Sequence, residues 1–151
     1  MKKEIIYTSN INCSVEELFD FHTDSNNITK ITPPNTKVEL LNEDTTTYEG
    51  KIVRLKTTRL FVPTHWEVLI EKLDRPNILI DTAQRSPLKY WRHSHIFIQH
   101  DGYCELRDII EYELPFGILN TLIDSLFKRD VIKMFTYRHV KTKEILEQQK
   151  K

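Results

Sequence analysis

The segment WRHSHIFIQHDGYCELRDIIEY, residues 91–112, decides the fold. At its centre, His100-Asp101-Gly102-Tyr103 carries the Asp-Gly pair favoured by a two-residue type I′ turn, in which both central residues take positive φ. The flanks alternate in polarity and are rich in aromatic and β-branched residues, so they read as the two strands of a hairpin. Pairing His100 with Tyr103 sets Trp91 opposite Tyr112, His93 opposite Ile110 and His95 opposite Asp108, with Phe97 against Leu106 and Gln99 against Cys104 on the same face. The other face sets Arg92 against Glu111, Ile96 against Arg107 and Ile98 against Glu105. It is more charged and includes one favourable cross-strand ion pair. The first face is therefore expected to point inward.

Working outward, period-two segments recur at 36–41, 47–58, 64–73, 77–84, 89–100 and 103–114, separated by turn formers such as Asn42-Glu43-Asp44 and Asp74-Arg75-Pro76-Asn77. A loosely alternating segment over 4–11 adds a first strand. Ser14-Val15-Glu16-Glu17 is a capping box, in which the hydroxyl and the Glu17 carboxylate satisfy backbone N–H groups, and it predicts a short helix over about 14–21 burying Val15, Leu18 and Phe19. Asp24 or Ser25 is placed to cap a second short helix through Lys30, ended by Pro33-Pro34. From 118 onward the period becomes helical, with Leu119, Leu122, Ile123, Leu126, Phe127, Val131, Met134 and Phe135 forming one apolar stripe ahead of a charged tail. A helix of about 30 residues is about 45 Å long and crosses a whole sheet. The expected fold is α+β: a curved antiparallel sheet of about seven strands wrapped around a long C-terminal α-helix, with two short helices between strands 1 and 2 and a mostly apolar pocket between sheet and helix.

Composition narrows the function classes. A chain of 151 residues that is 39% hydrophobic supports one core, so residues 1–151 are expected to form a single domain. Lysine plus arginine number 22 and aspartate plus glutamate 22, which leaves no net field to recruit nucleic acid. No apolar run reaches the roughly 18 residues of a membrane span or resembles a signal-peptide core, so no integral membrane association is expected. Cys13 and Cys104 stand far apart and outside any CxxC spacing, which speaks against a disulfide framework or zinc knuckle and for a reducing, cytoplasmic setting. Neither a Gly-rich phosphate loop nor a nucleophile elbow is present, and no cofactor is implied. Oligomeric state is not encoded in any of these features.

The inward face is where chemistry would lie. Within a wall of Trp91, Phe97, Ile110 and Tyr112 it holds two histidines at i, i+2 and a carboxylate opposite one of them. The preceding strand contributes Trp66, Val68 and Ile70 at alternate positions. Buried polar groups need partners, so His93, His95 and Asp108 should bond to one another or to a ligand. Four uses are open: a purely structural His95–Asp108 pair, orientation of a ligand's polar group in an apolar pocket, acid–base catalysis with His95 as base and Asp108 as its orienting partner, or a metal site from His93, His95 and Asp108. His-x-His alone selects none of them.

Across nearly the whole chain the order of elements and several local motifs resemble the SRPBCC or START-like superfamily, the helix-grip fold shared by the birch pollen allergen, lipid-transfer domains and polyketide cyclases. The residues that carry this are Phe21-His22-Thr23-Asp24, Ile31-Thr32-Pro33-Pro34, Trp66 with Ile70, and Asp81 followed by Pro87, Trp91, His93 and His95. Asp108, Tyr112, Leu114-Pro115-Phe116-Gly117 and Phe135-Thr136-Tyr137-Arg138 complete the pattern. The sequence departs from the family after Asp81, where Ala83 stands at a position often held by glutamine, Gln84 comes one later and Ser86 replaces a glycine. The resemblance implies a cavity for a lipid, polyketide or similar apolar molecule, in a superfamily that includes carriers, sensors and enzymes. The leading expectation is binding of a small hydrophobic or aromatic ligand against Trp66, Val68, Trp91, Phe97, Ile110 and Tyr112, with His93, His95 and Asp108 orienting its polar group. The alternatives are a cyclase, dehydratase or hydrolase using His95 and Asp108, and a partner-interaction module.

Overall fold

The computed structural model describes residues 1–149. Its seven strands form one antiparallel sheet: β1 (Lys3–Ile11), β2 (Thr36–Leu40), β3 (Ile52–Arg59), β4 (Val62–Asp74), β5 (Ile78–Arg85), β6 (Tyr90–His100) and β7 (Tyr103–Glu113). Between β1 and β2 lie α1 (Val15–Thr23) and α2 (Asn27–Lys30). A short 3-10 turn (Gly117–Leu119) leads into α3 (Asn120–Gln148). The strand order is β1-β7-β6-β5-β4-β3-β2, a meander from β2 to β7 closed by β1 on the outer side of β7. This is the helix-grip α+β architecture expected from the periodicities.

Local chemistry explains most of the elements. The capping box forms in full: Ser14 Oγ accepts from the Glu17 N–H at 3.1 Å, and Glu17 Oε2 accepts from the Ser14 N–H at 2.7 Å. Val15, Leu18 and Phe19 are buried beneath α1, as the spacing predicts. The second short helix starts at Asn27 after Asn26, with Asp24 Oδ1 accepting from the Asn26 N–H at 3.0 Å just ahead of it, while the Asp24 backbone bridges to Thr46. The segment 47–51 is not strand; it turns through Gly50, whose φ of 89° only glycine adopts at low cost, and β3 begins at Ile52.

The β6–β7 register is the one read from the Asp-Gly turn, with Trp91 opposite Tyr112, His93 opposite Ile110 and His95 opposite Asp108. The turn itself differs from expectation. Of its two central residues only Gly102 has positive φ (81°), so it is not type I′. Two positive φ values in succession occur instead at Leu60 (51°) and Phe61 (64°), the β3–β4 turn, where neither residue is suited to that conformation.

The expected apolar stripe of α3 divides in two. Val131 and Phe135 are buried, whereas Leu119, Leu122 and Leu126 are exposed. Farther along, the buried face continues through His139, Thr142 and Leu146, two of them polar. Two apolar clusters result: one holds Ile11, Leu18, Phe97, Leu106 and Leu146, the other Ile5, Ile110, Tyr112, Val131 and Phe135. On β6, β7 and α3 alike, the residues between these clusters on the inward side are polar: His93 and His95, Asp108, and His139. No described helix is long and apolar enough to cross a membrane.

Candidate functional site

That polar layer is organised around one carboxylate. Asp108 is 3% exposed. Its Oδ1 is 2.9 Å from His93 Nε2, and its Oδ2 is 2.6 Å from His139 Nε2. A carboxylate can only accept, so Nε2 carries the proton in both rings. His139 Nδ1 is then left to accept from the Ser9 hydroxyl at 2.6 Å. His95 Nδ1 also lies 3.0 Å from Asp108 Oδ1, but off the line of a hydrogen bond, so this contact is electrostatic. His95 Nε2 meets Asp81 Oδ2 at 3.3 Å. Asp81 sits opposite His93 in the β5–β6 pairing.

The charge states follow from these neighbours. Burial by itself would raise Asp108, but the His93 and His95 imidazoles and the His139 hydrogen bond outweigh it and hold the carboxyl well below its usual range. Burial also works against a charge on His95, yet Asp108 and Asp81 overcome it and lift that imidazole to about 9. At neutral pH His95 is therefore an imidazolium, a proton donor rather than the base that its pairing with Asp108 suggested. His93 is pushed the other way, first by burial and then by the adjacent His95 charge. His22, on α1 with its ring 5.2 Å from that of His95, is lowered to about 3 for the same two reasons.

Beside this layer lies a cavity of about 500 Å³ between the inward face of β2–β6 and α3, with α1 and α2 contributing to its rim. Its walls are mostly apolar: Val53, Leu55, Trp66 and Val68 from the sheet, and Phe127, Val131 and Met134 from the helix. Trp66 and Trp91 meet edge to face, ring centres 6.0 Å apart. The polar end is formed by Asp81, His93, His95 and Arg138.

The cavity brings together five of the residues singled out from sequence: Trp66, Val68, Trp91, His93 and His95. Phe97, Ile110 and Tyr112 are not among its lining residues; each is at most 1% exposed and belongs to the packed clusters. The physical reason is that α3 rests directly on the β1–β7–β6 side of the sheet and stands away from it only toward β3–β5. Tyr112 turns its hydroxyl to Asp124 Oδ1 at 2.7 Å. Asp108 sits behind the two histidines rather than on the cavity wall. Among the described residues, the three groups offering ligand atoms within 4.8 Å of one another are Asp81, His93 and His95 rather than His93, His95 and Asp108.

Sequence reasoning did not select His22, Asp81, Arg138 or His139 as site residues. His139 follows buried Phe135 by four positions on α3, a helical spacing that could have found it. Cys104 is fully buried, and its thiol is pushed up to about 11, first by burial, which makes it an interior residue rather than a nucleophile.

The fold recurs in known structures at low identity. A protein from Thermus thermophilus is similar at TM-score 0.74 and 14% identity, over 99% of this chain and 100% of that one. A START superfamily protein from Mycobacterium smegmatis gives 0.72 at 10%, over 97% and 98%. A point mutant of norcoclaurine synthase from Thalictrum flavum, in complex with a transition-state analogue, gives 0.75 at 11%, over 100% and 98%. No curated protein matches the sequence. Residues 11–135 match the family described as polyketide cyclase / dehydrase and lipid transport, and the chain belongs to that family, within the SRPBCC/START-like superfamily.

Proposed function

We propose that this protein binds a small hydrophobic or aromatic molecule in the cavity between β2–β6 and α3, with the apolar body against Trp66, Val68 and Trp91 and the polar group toward His93 and His95. The observation that carries this reading is the cavity: about 500 Å³ of space walled mainly by apolar side chains, with titratable groups gathered at one end. That volume falls in the range of small-molecule sites, and such sites combine apolar walls with a few convergent polar groups.

The test is calorimetric titration with a panel of naphthalene derivatives and medium-chain lipids, on the native chain and on Val68→Phe, which fills the wall. Saturable one-to-one binding that weakens at least about tenfold in the filled variant is expected. A flat titration across the whole panel, or equal binding by the filled variant, would sink the reading.

A further inference from the structure

Arg138 is the unexplained group of the cavity. It projects from α3 into the polar end, yet its guanidinium makes no hydrogen bond and no ion pair within 4.0 Å among the described residues; its Nε is fully buried without a partner. The nearest compensation is a cation–π contact, with the guanidinium carbon 5.3 Å from the Phe135 ring centre. Asp81 and Asp108 attract it from a distance, but both are already engaged with His95 at 3.3 Å and 3.0 Å. Burial weakens its hold on the proton more than these carboxylates restore it. A guanidinium carries five donors and no acceptor, stays charged in proteins, and is costly to bury unpaired.

We propose that Arg138 anchors an organic carboxylate, so that the ligand of this cavity is an amphipathic monoanion whose apolar body lies along Trp66 and Trp91. This rests on the binding function proposed above and names the ligand's head group. The planar guanidinium fork matches a carboxylate with two parallel N–H donors; the other guanidinium lining the cavity, Arg59, is already paired with Asp130 at 3.0 Å. The other polar residues agree. His95 adds a positive charge at that end, whereas the single N–H of neutral His93 goes to Asp108 Oδ1 and that of neutral His22 to the Leu18 carbonyl, which leaves the Arg138 guanidinium with the uncommitted donors there. Asp81 limits how far toward β5 the head group can move, because two carboxylates repel, and this places the anion on the helix side of His95.

The experiment compares decanoate, methyl decanoate and decanol by calorimetry on the native chain, Arg138→Met and Arg138→Lys. Decanoate should bind the native chain at least about tenfold more tightly than its ester, Arg138→Met should abolish that preference while leaving the ester unchanged, and Arg138→Lys should retain part of it. Thermal melting without ligand provides the second readout: Arg138→Met should melt no lower than the native chain, because it removes a half-buried charge that has no ion pair within the chain. Equal binding of acid and ester by the native chain, or an acid preference that survives in Arg138→Met, overturns the anchor while the apolar cavity stands. Absence of binding by all three probes and by the naphthalene panel overturns the cavity function itself. A marked loss of melting temperature in both variants overturns the proposal too, since Arg138 would then be structural.

Discussion

Buried Asp108 and half-buried Arg138 are neighbours in the polar region between β6, β7 and α3, yet they are built in opposite ways. Both oxygens of Asp108 are committed, to His93, His95 and His139, and every one of those rings is fixed from a second side or packed against an aromatic neighbour. The Arg138 side chain makes no hydrogen bond among the described residues, and its Nε is buried without a partner. One charge is fully answered by the protein and the other is left open toward a cavity. The difference separates scaffold from site: a completed polar network can hold β6, β7 and α3 in register between two apolar clusters, whereas an incomplete one makes sense only if something else completes it.

The comparison can be broken most directly at Asp108. Asp108→Asn removes the charge shared by three imidazoles and should cost roughly 3–5 kcal/mol in chemical denaturation, the usual consequence of taking one partner from a buried ionic cluster. A loss below about 1 kcal/mol would mean that the layer is not scaffold. The pH dependence comes next. Because His95 is raised to about 9, its contribution is complete below the ordinary histidine value of 6.5 and is lost as pH climbs through 9. His22, lowered to about 3, contributes fully above 6.5 and loses that contribution as pH falls toward 3, and His93 acts in the same sense. Stability should therefore peak near pH 6.5, with Tm lower by on the order of 5 °C at pH 9; a profile flat from 6 to 9 would remove the imidazolium from the site. The smallest effect belongs to the edge of the network: Ser9→Ala deprives His139 Nδ1 of its 2.6 Å partner and should cost about 1 kcal/mol, measured by the same denaturation.

These two halves of the layer are unequally legible in the sequence. Asp108 and His95 can be set opposite each other because an Asp-Gly pair marks a two-residue hairpin, and the register survives even though Asp101 does not take the positive φ of a type I′ turn. A short hairpin loop constrains the pairing whichever turn type it adopts. Phe97, Ile110 and Tyr112 share the inward face, but periodicity cannot tell a wall that faces space from one that faces packed side chains; that depends on where α3 touches the sheet. Arg138, which enters only within a family motif, and His139, which does not enter at all, are missed as site residues for a different reason. They lie in a stretch of α3 whose charged and polar residues read as a solvated tail, and only the burial of Phe135, Thr142 and Leu146 shows that this stretch runs inside. Asp81 is obscured by the irregular β4–β5 pairing, whose shifts at Glu67/Val68 and Ile70/Lys72 break the simple alternation.

The pairing of β1 with β7 has a consequence for how the chain reaches this state. Lys3 finds Tyr112 and Ile11 finds Cys104, so the first strand has no partner until the last strand exists. During synthesis the N-terminal segment emerges with an apolar face and waits, while the hairpins from β3 onward can form locally. Such long-range closure gives high contact order, which places folding in the millisecond-to-second regime typical of sheet-dominated domains. It also makes the interval before β7 is translated the period in which the nascent chain most needs protection from other chains.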